Sequence, residues 1–169
     1  MLTSPAFKNG GRLPEKYTID GEKVSPPLKW DNPPQGTRSF ALLMDDHDVP
    51  KEFGGLFVHW MVYDIPAQIR ELPDGASPSG KLPAGAKEVP NFYANVGMAN
   101  TPFAKYGPPW PPTPDHKYKF TLFNLKVDKL KLAPGAGYEQ FLSAVQKEAI
   151  STFELIGVYG PAKTPMPKQ

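Results

Sequence analysis

Proline limits what this chain can become more than any other residue. There are 22 prolines among 169 residues, far above the ~5% of an average protein. Each one removes a backbone donor and breaks a helix from within, so a bundle of long helices is excluded. Alongside 15 glycines, so much proline borders on the composition of disordered segments. The aromatic content of 12% argues against disorder, because chains that stay unfolded carry few large core-formers. Strands joined by long, proline-stiffened loops are therefore expected.

Four segments free of internal proline read as strands. Residues Ser39 to Met44 form a continuous apolar run that stops at acidic residues, and Leu56 to Ile65 form a second, closed by Pro66. Both have the pattern of central strands buried on two faces. His116 to Phe123 alternates instead: His116, Tyr118, Phe120 and Leu122 share one face, while Lys117, Lys119 and Thr121 take the other. Leu155 to Tyr159, bounded by Gly160 and Pro161, is the fourth. The one good helix spans Tyr138 to Ala149, where Phe141, Leu142, Val145 and Ala149 fall on a single stripe. Between Leu72 and Asp115 lies a long stretch rich in Pro, Gly, Ala, Ser and Asn. Its Gly107–Pro112 part reads as an ordered wall, since prolines pre-set the backbone. No repeat or internal boundary appears, and the length suits one domain over residues 1–169, with 1–12 and 161–169 as extended ends.

Several classes of function are set aside by composition. With no cysteine, disulfide scaffolds, thiol catalysis and cysteine-ligated metal centres are excluded. Nineteen basic against 17 acidic residues, a net charge of +2, is too balanced for nucleic acid as a main partner. No run reaches the ~18 apolar residues of a membrane span. Met1 to Phe7 shows no basic segment followed by an apolar stretch. The expected compartment is the cytoplasm.

The residues able to do chemistry are few. Asp45-Asp46-His47-Asp48 ends a strand, His59 interrupts the most apolar segment, and His116 heads the alternating strand on its apolar face. If strand geometry persists, Asp46 and Asp48 point one way and Asp45 and His47 the other. A histidine such as His59 is, on its own, more simply a hydrogen-bonded core residue, and an aspartate cluster a solvated turn. Glycine-rich nucleotide loops and the Gly-x-Ser-x-Gly elbow are absent, and no serine stands out as a nucleophile.

In order along the chain, these pieces resemble the phosphatidylethanolamine-binding protein family, which includes the Raf kinase inhibitor proteins. Leu13-Pro14-Glu15-Lys16-Tyr17-Thr18 and Ser25-Pro26-Pro27-Leu28-Lys29-Trp30 are similar to its opening. Asp46-His47-Asp48-Val49-Pro50 resembles its acidic Asp-Pro-Asp-Ala-Pro motif, and His59-Trp60 through Ile65-Pro66 its His-Trp strand. Gly107 to Pro112, followed by His116-Lys117-Tyr118-Lys119-Phe120, resembles its proline loop and next strand, and Glu154 to Gly160 its ending.

The resemblance implies an antiparallel β-sandwich with a few peripheral helices. It also implies a small anion pocket built from Asp46, Asp48, His59, Gly107, Pro111, Pro112, His116 and Tyr118, without metal or cofactor. Ligands would be phosphate-like or carboxylate groups, including phospholipid headgroups, and the protein would regulate or inhibit a partner such as a serine protease or a kinase. A metal-assisted or acid–base hydrolase using Asp46, Asp48, His59 and His116 is the alternative. His47 stands where the family has proline, which alters that turn or adds a third imidazole at the pocket mouth. The family likeness further implies a cis Val49–Pro50 bond. Because carboxylates repel anions, Asp46 and Asp48 are expected to orient His59 and His116 and to raise their affinity for protons, leaving imidazolium N–H groups and the Tyr118 hydroxyl as donors.

Overall fold

The structure, a computed structural model, describes residues 1–167. Its large sheet contains β2 (Gly11–Arg12), β4 (Ser39–Asp46), β5 (Phe57–Pro66), β7 (Lys87–Val89), β8 (His116–Leu125) and β9 (Ala149–Tyr159), in the order β2-β9-β8-β4-β5-β7. A small sheet joins β1 (Leu2–Thr3), β3 (Leu28–Trp30) and β6 (Glu71–Leu72), in the order β1-β3-β6. The helices are α1 (Ala76–Ser79), interrupted by extended backbone at Ser77, and α2 (Tyr138–Glu148). The protein is thus mainly β with few helices, as expected. Both sheets are open, and the large one is not wholly antiparallel, because β2 pairs with β9 in parallel.

Strand positions follow from where proline is missing. No proline interrupts β4, β8 or β9, and Pro66 is the last residue of β5. As expected for apolar runs, β4 and β5 lie inside the sheet, and every residue of β4 is buried. The β8 alternation holds too: His116, Tyr118 and Phe120 are buried, Lys117 is exposed and Lys119 half-exposed. On one face of the large sheet, Phe40, Leu42, Met44, Trp60, Tyr118, Phe120 and Leu122 pack with Leu28, Trp30 and Leu72 of the small sheet. Opposite them, Ala41, Leu43, Val58, Met61 and Phe123 pack against Phe141 and Val145 of α2. At the start of that helix the Gly137 N–H donates to Gln140 Oε1 at 2.9 Å, satisfying one donor of the first turn.

Two irregularities interrupt β5, and the first shapes the site. Against β4, Met44 pairs with Trp60 and Asp45 with Val58, so His59 is an extra residue in the ladder. Such a bulge re-aims side chains. Here it lets His59 turn to the face already occupied by Trp60, whereas strict alternation would send it to the other. A second shift, between Phe40 and Leu42, falls near Asp64, whose φ is +58°. The buried Asp64 accepts from the Leu130 N–H at 2.8 Å.

The expected long loop contains β7 and short 3-10 turns at Phe92–Val96 and Pro102–Ala104. Its Gly107–Pro112 part is held through its carbonyls: Pro108 accepts from Tyr93 Oη, Pro109 from the Ile19 N–H and Pro111 from the Ala162 N–H. After β9 the chain runs past Asp20, which accepts from the Lys163 N–H, the Thr164 N–H and Thr164 Oγ1. The last two residues of the expected extended end, 168–169, lie outside the described residues. Cis peptide bonds occur at Ser77–Pro78 and Gly160–Pro161. The expected cis bond at Val49–Pro50 is trans: Pro50 leads directly into a 3-10 turn at Lys51–Phe53, so this corner is made by that turn.

Candidate functional site

The ends of β4, β5 and β8 and the Trp110–Thr113 loop enclose a cavity of about 490 Å³, within the usual range for small-molecule sites. Its polar floor contains Asp46, His59, His116 and Tyr118, and its walls include Phe57, Tyr93, Trp110, Pro111 and Pro112. Phe53 and Met166 flank it as exposed apolar residues.

His116 and Asp46 form the central pair. His116 Nδ1 lies 2.6 Å from Asp46 Oδ2, and both side chains are buried. Asp46 Oδ1 accepts from the Asp48 N–H at 2.7 Å, and His116 Nε2 lies 2.8 Å from Thr113 Oγ1. The His116 and Tyr118 rings stack with centroids 6.4 Å apart. Among the described residues the Tyr118 hydroxyl has no hydrogen-bond partner, and burial pushes its ionisation far above the ordinary tyrosine value. It stays a neutral donor.

His59 departs from expectation. No aspartate orients it; its Nδ1 donates to the Gly107 carbonyl at 2.8 Å, while the Gly107 N–H donates to the His59 carbonyl at 2.8 Å. Burial pushes its imidazole down to about 4, outweighing the opposing pull of the Gly107 carbonyl and Asp46. His59 is therefore neutral at pH 7, with Nε2 as an acceptor, not an imidazolium donor.

Asp48 is also redirected. The strand ends at Asp46, so alternation does not reach Asp48; its carboxylate accepts from the Lys117 N–H at 2.8 Å and ties the 47–50 turn to β8. His47 points away from the mouth and meets Asp45 Oδ2 at 3.1 Å. The residues expected in the pocket divide accordingly. Asp46, His59, Pro111, Pro112, His116 and Tyr118 line the cavity, whereas Gly107 and Asp48 stand behind it. Of the hydrolase set, Asp46, His59 and His116 meet at the cavity, whereas Asp48 and His59 Nδ1 are committed to backbone groups.

Sequence reasoning passed over several residues that shape the site. Asn91, fully buried, donates through Nδ2 to the carbonyls of His59, Phe103 and Lys105 at 2.7, 2.6 and 2.9 Å, and its Oδ1 accepts from the Tyr93 N–H. It sews the loop wall onto β5, and a lone asparagine in a loop carries no signal of that. Gly107 has to be glycine because a Cβ there would lie 2.6 Å from Asn91 Nδ2 and 2.6 Å from Tyr93 Cδ2. Phe57, Tyr93 and Thr113 also went unrecognised; only Phe57, two residues before His59 on an apolar run, offered a hint.

Comparison with known proteins identifies the architecture. The chain belongs to the phosphatidylethanolamine-binding protein family, whose model matches residues 3–160. It is similar to the UPF0098 protein of Aquifex aeolicus, 39% identical over 160 residues that cover 92% of this chain and 85% of that one. The UPF0098 protein of Methanothermobacter thermautotrophicus is 36% identical, covering 94% of this chain and 97% of that protein. Among solved structures, CT736 from Chlamydia trachomatis superposes with a TM-score of 0.79 at 34% identity, covering 95% and 97% of the two chains. YbcL from E. coli superposes with a TM-score of 0.83 at 29% identity, covering 96% and 98%. No helix among the described residues is long and apolar enough to cross a membrane.

Proposed function

We propose that this family member is a binding protein whose pocket receives a small anionic group, a phosphoryl headgroup or a carboxylate, and that it regulates or inhibits a protein partner such as a serine protease or a kinase. The observation carrying this reading is the cavity floor: a buried Asp46–His116 pair beside a Tyr118 hydroxyl with no partner among the described residues, under largely apolar walls. An anion near Asp46 is repelled unless His116 carries a proton that cancels the carboxylate. In that state His116 Nε2–H, once the Thr113 hydroxyl gives way to the ligand, and Tyr118 O–H are donors, while His59 Nε2 remains an acceptor. A phosphate monoester carrying one proton fits this set, donating its own hydroxyl to His59 and accepting at its charged oxygens. The small sheet against the large one, joined by a common core, supports reading the fold as a β-sandwich.

Calorimetric titration with phosphoethanolamine and inorganic phosphate tests the ligand. Saturable binding that disappears in His116→Ala and weakens in Tyr118→Phe is expected; no saturation at millimolar ligand with the wild type would end the reading. For the inhibitory role, the Trp110–Pro112 wall is stiffened by proline, which lowers the ordering cost of entering a protease cleft. Failure to inhibit chymotrypsin-like and subtilisin-like enzymes at micromolar protein would refute that part. Placement in the cytoplasm belongs to the same proposal and is checked by cell fractionation.

A further inference from the structure

Thr113 sits in the Pro112-Thr113-Pro114-Asp115 loop, 67 positions beyond Asp46 in the sequence, yet the two meet across one imidazole. The direction of the hydrogen bonds follows from their chemistry. A carboxylate only accepts, so His116 Nδ1–H donates to Asp46 Oδ2 at 2.6 Å. In the neutral ring the lone pair then lies on Nε2, and the group 2.8 Å from it is Thr113 Oγ1. The hydroxyl must donate to this nitrogen. Asp46 is itself fixed, because its second oxygen accepts from the Asp48 N–H at 2.7 Å. The Thr113 carbonyl lies close against Gly160, at which a Cβ would collide with it.

Hydroxyl, imidazole and carboxylate in this order are the arrangement by which a weak alcohol nucleophile is activated: the base within hydrogen-bond reach, and a third group orienting the base. All three residues line the cavity, as does Tyr118, whose O–H has no hydrogen-bond partner among the described residues. Thr113 is exposed, so a substrate can reach it.

We propose that Thr113 is an activated nucleophile and that the pocket carries an acyl-transfer activity on small carboxylic esters with apolar acyl groups. The Thr113 oxygen attacks the ester carbonyl carbon while its proton passes to His116 Nε2. As the carbon–oxygen bond to the leaving alcohol breaks, that proton goes to the departing oxygen, leaving an acyl-threonine and a free alcohol. Water then attacks the acyl carbon and gives one proton to His116 Nε2, which returns it to the Thr113 oxygen as the carboxylic acid leaves. The small apolar acyl group matches the Pro111, Pro112 and Phe57 walls. This activity does not depend on the anion-binding reading, which uses the protonated state of His116.

The test combines an alkyl fluorophosphonate, which loses fluoride to an activated hydroxyl, with turnover of p-nitrophenyl acetate and butyrate. One adduct per chain, mapped by mass spectrometry to Thr113, is expected, together with ester hydrolysis above the protein-free rate. Thr113→Val, nearly isosteric but lacking the hydroxyl, should lose the adduct and at least ~100-fold of the hydrolysis, whereas Thr113→Ser should retain both; Asp46→Asn should lose a similar factor. Thermal melting of Thr113→Val confirms that it folds, and it decides the matter if Asp46→Asn does not. The proposal is overturned if the wild type forms no adduct and hydrolyses neither ester, if the adduct maps elsewhere, or if Thr113→Val hydrolyses as the wild type does. Phosphate calorimetry on Thr113→Val reads the binding proposal separately.

Discussion

Replacing Gly107 with alanine probes how tightly the loop wall is fastened to β5. The constraint is space: the added Cβ would lie 2.6 Å from Asn91 Nδ2, 2.6 Å from Tyr93 Cδ2 and 2.7 Å from Tyr93 Cε2. Neither neighbour is a loose side-chain end. Asn91 Nδ2 is anchored to the carbonyls of His59, Phe103 and Lys105, and Tyr93 Oη donates to the Pro108 carbonyl at 2.6 Å. Overpacking of a tight site costs about 1–3 kcal/mol. If the wall retreats to relieve it, the two Gly107–His59 hydrogen bonds weaken, at about 1 kcal/mol each. A loss of about 3 kcal/mol results, which for a domain of this size lowers Tm by roughly 6–12 °C. Scanning calorimetry and urea unfolding measure it, with Lys105→Ala, an exposed neighbour on the same wall, expected to stay within about 0.5 kcal/mol. A Gly107→Ala protein as stable as the wild type would show that the wall yields freely and that the fastening argument is wrong.

His59 should stay neutral and protonated on Nδ1 down to pH about 4, visible in the ring nitrogen shifts by NMR; titration near 6.5 would refute its burial as the controlling effect. Since its folded value lies below the unfolded one, its contribution to stability is full above pH 6.5 and declines by up to about 1.4 kcal/mol per pH unit down to about 4. Burial raises the Asp20 carboxyl, but hydrogen bonds from Tyr159, Lys163 and Thr164 outweigh it and hold the group well below the usual carboxylate range. Asp20→Ala should therefore speed tryptic cleavage after Lys163; unchanged digestion would count against the latch. Phe120→Ala, at a fully buried site, should cost about 3–5 kcal/mol in urea unfolding. Arg38→Ala, which breaks an exposed pair with Asp128, should cost less than about 1 kcal/mol; reversal of that order would refute the burial argument.

Periodicity and proline placement by themselves determined much of the framework. A strand alternates because its side chains do, so the face shared by His116, Tyr118 and Phe120 was legible from spacing alone. The α2 stripe was legible for the equivalent reason at helical period. Prolines, unable to donate to a ladder, marked where β5 and β9 stop, and the acidic residues marked the end of the β4 run. The short strands β1, β2, β3, β6 and β7 were not legible, because two or three residues carry no period; their pairing is decided by what the rest of the sheet offers.

Most of the chemistry of the site belongs to the tertiary structure. His59 reaches the pocket face only because β5 carries an extra residue there, and a bulge is a mismatch between two strands that one strand's pattern does not record. Its neutrality comes from desolvation by Phe57, Tyr93 and Tyr118, which arrive from three separate segments. Asp48 looks like a partner of Asp46 in sequence, yet the strand ends between them and a backbone N–H of β8 claims its carboxylate. The base beside Thr113 is its near neighbour His116, but the carboxylate that orients that base, Asp46, comes from 70 residues away, and Asn91 joins a β5 carbonyl to two carbonyls of its own loop. Residue types declare which groups could react, while the hydrogen-bond partners that select among them are set by long-range packing.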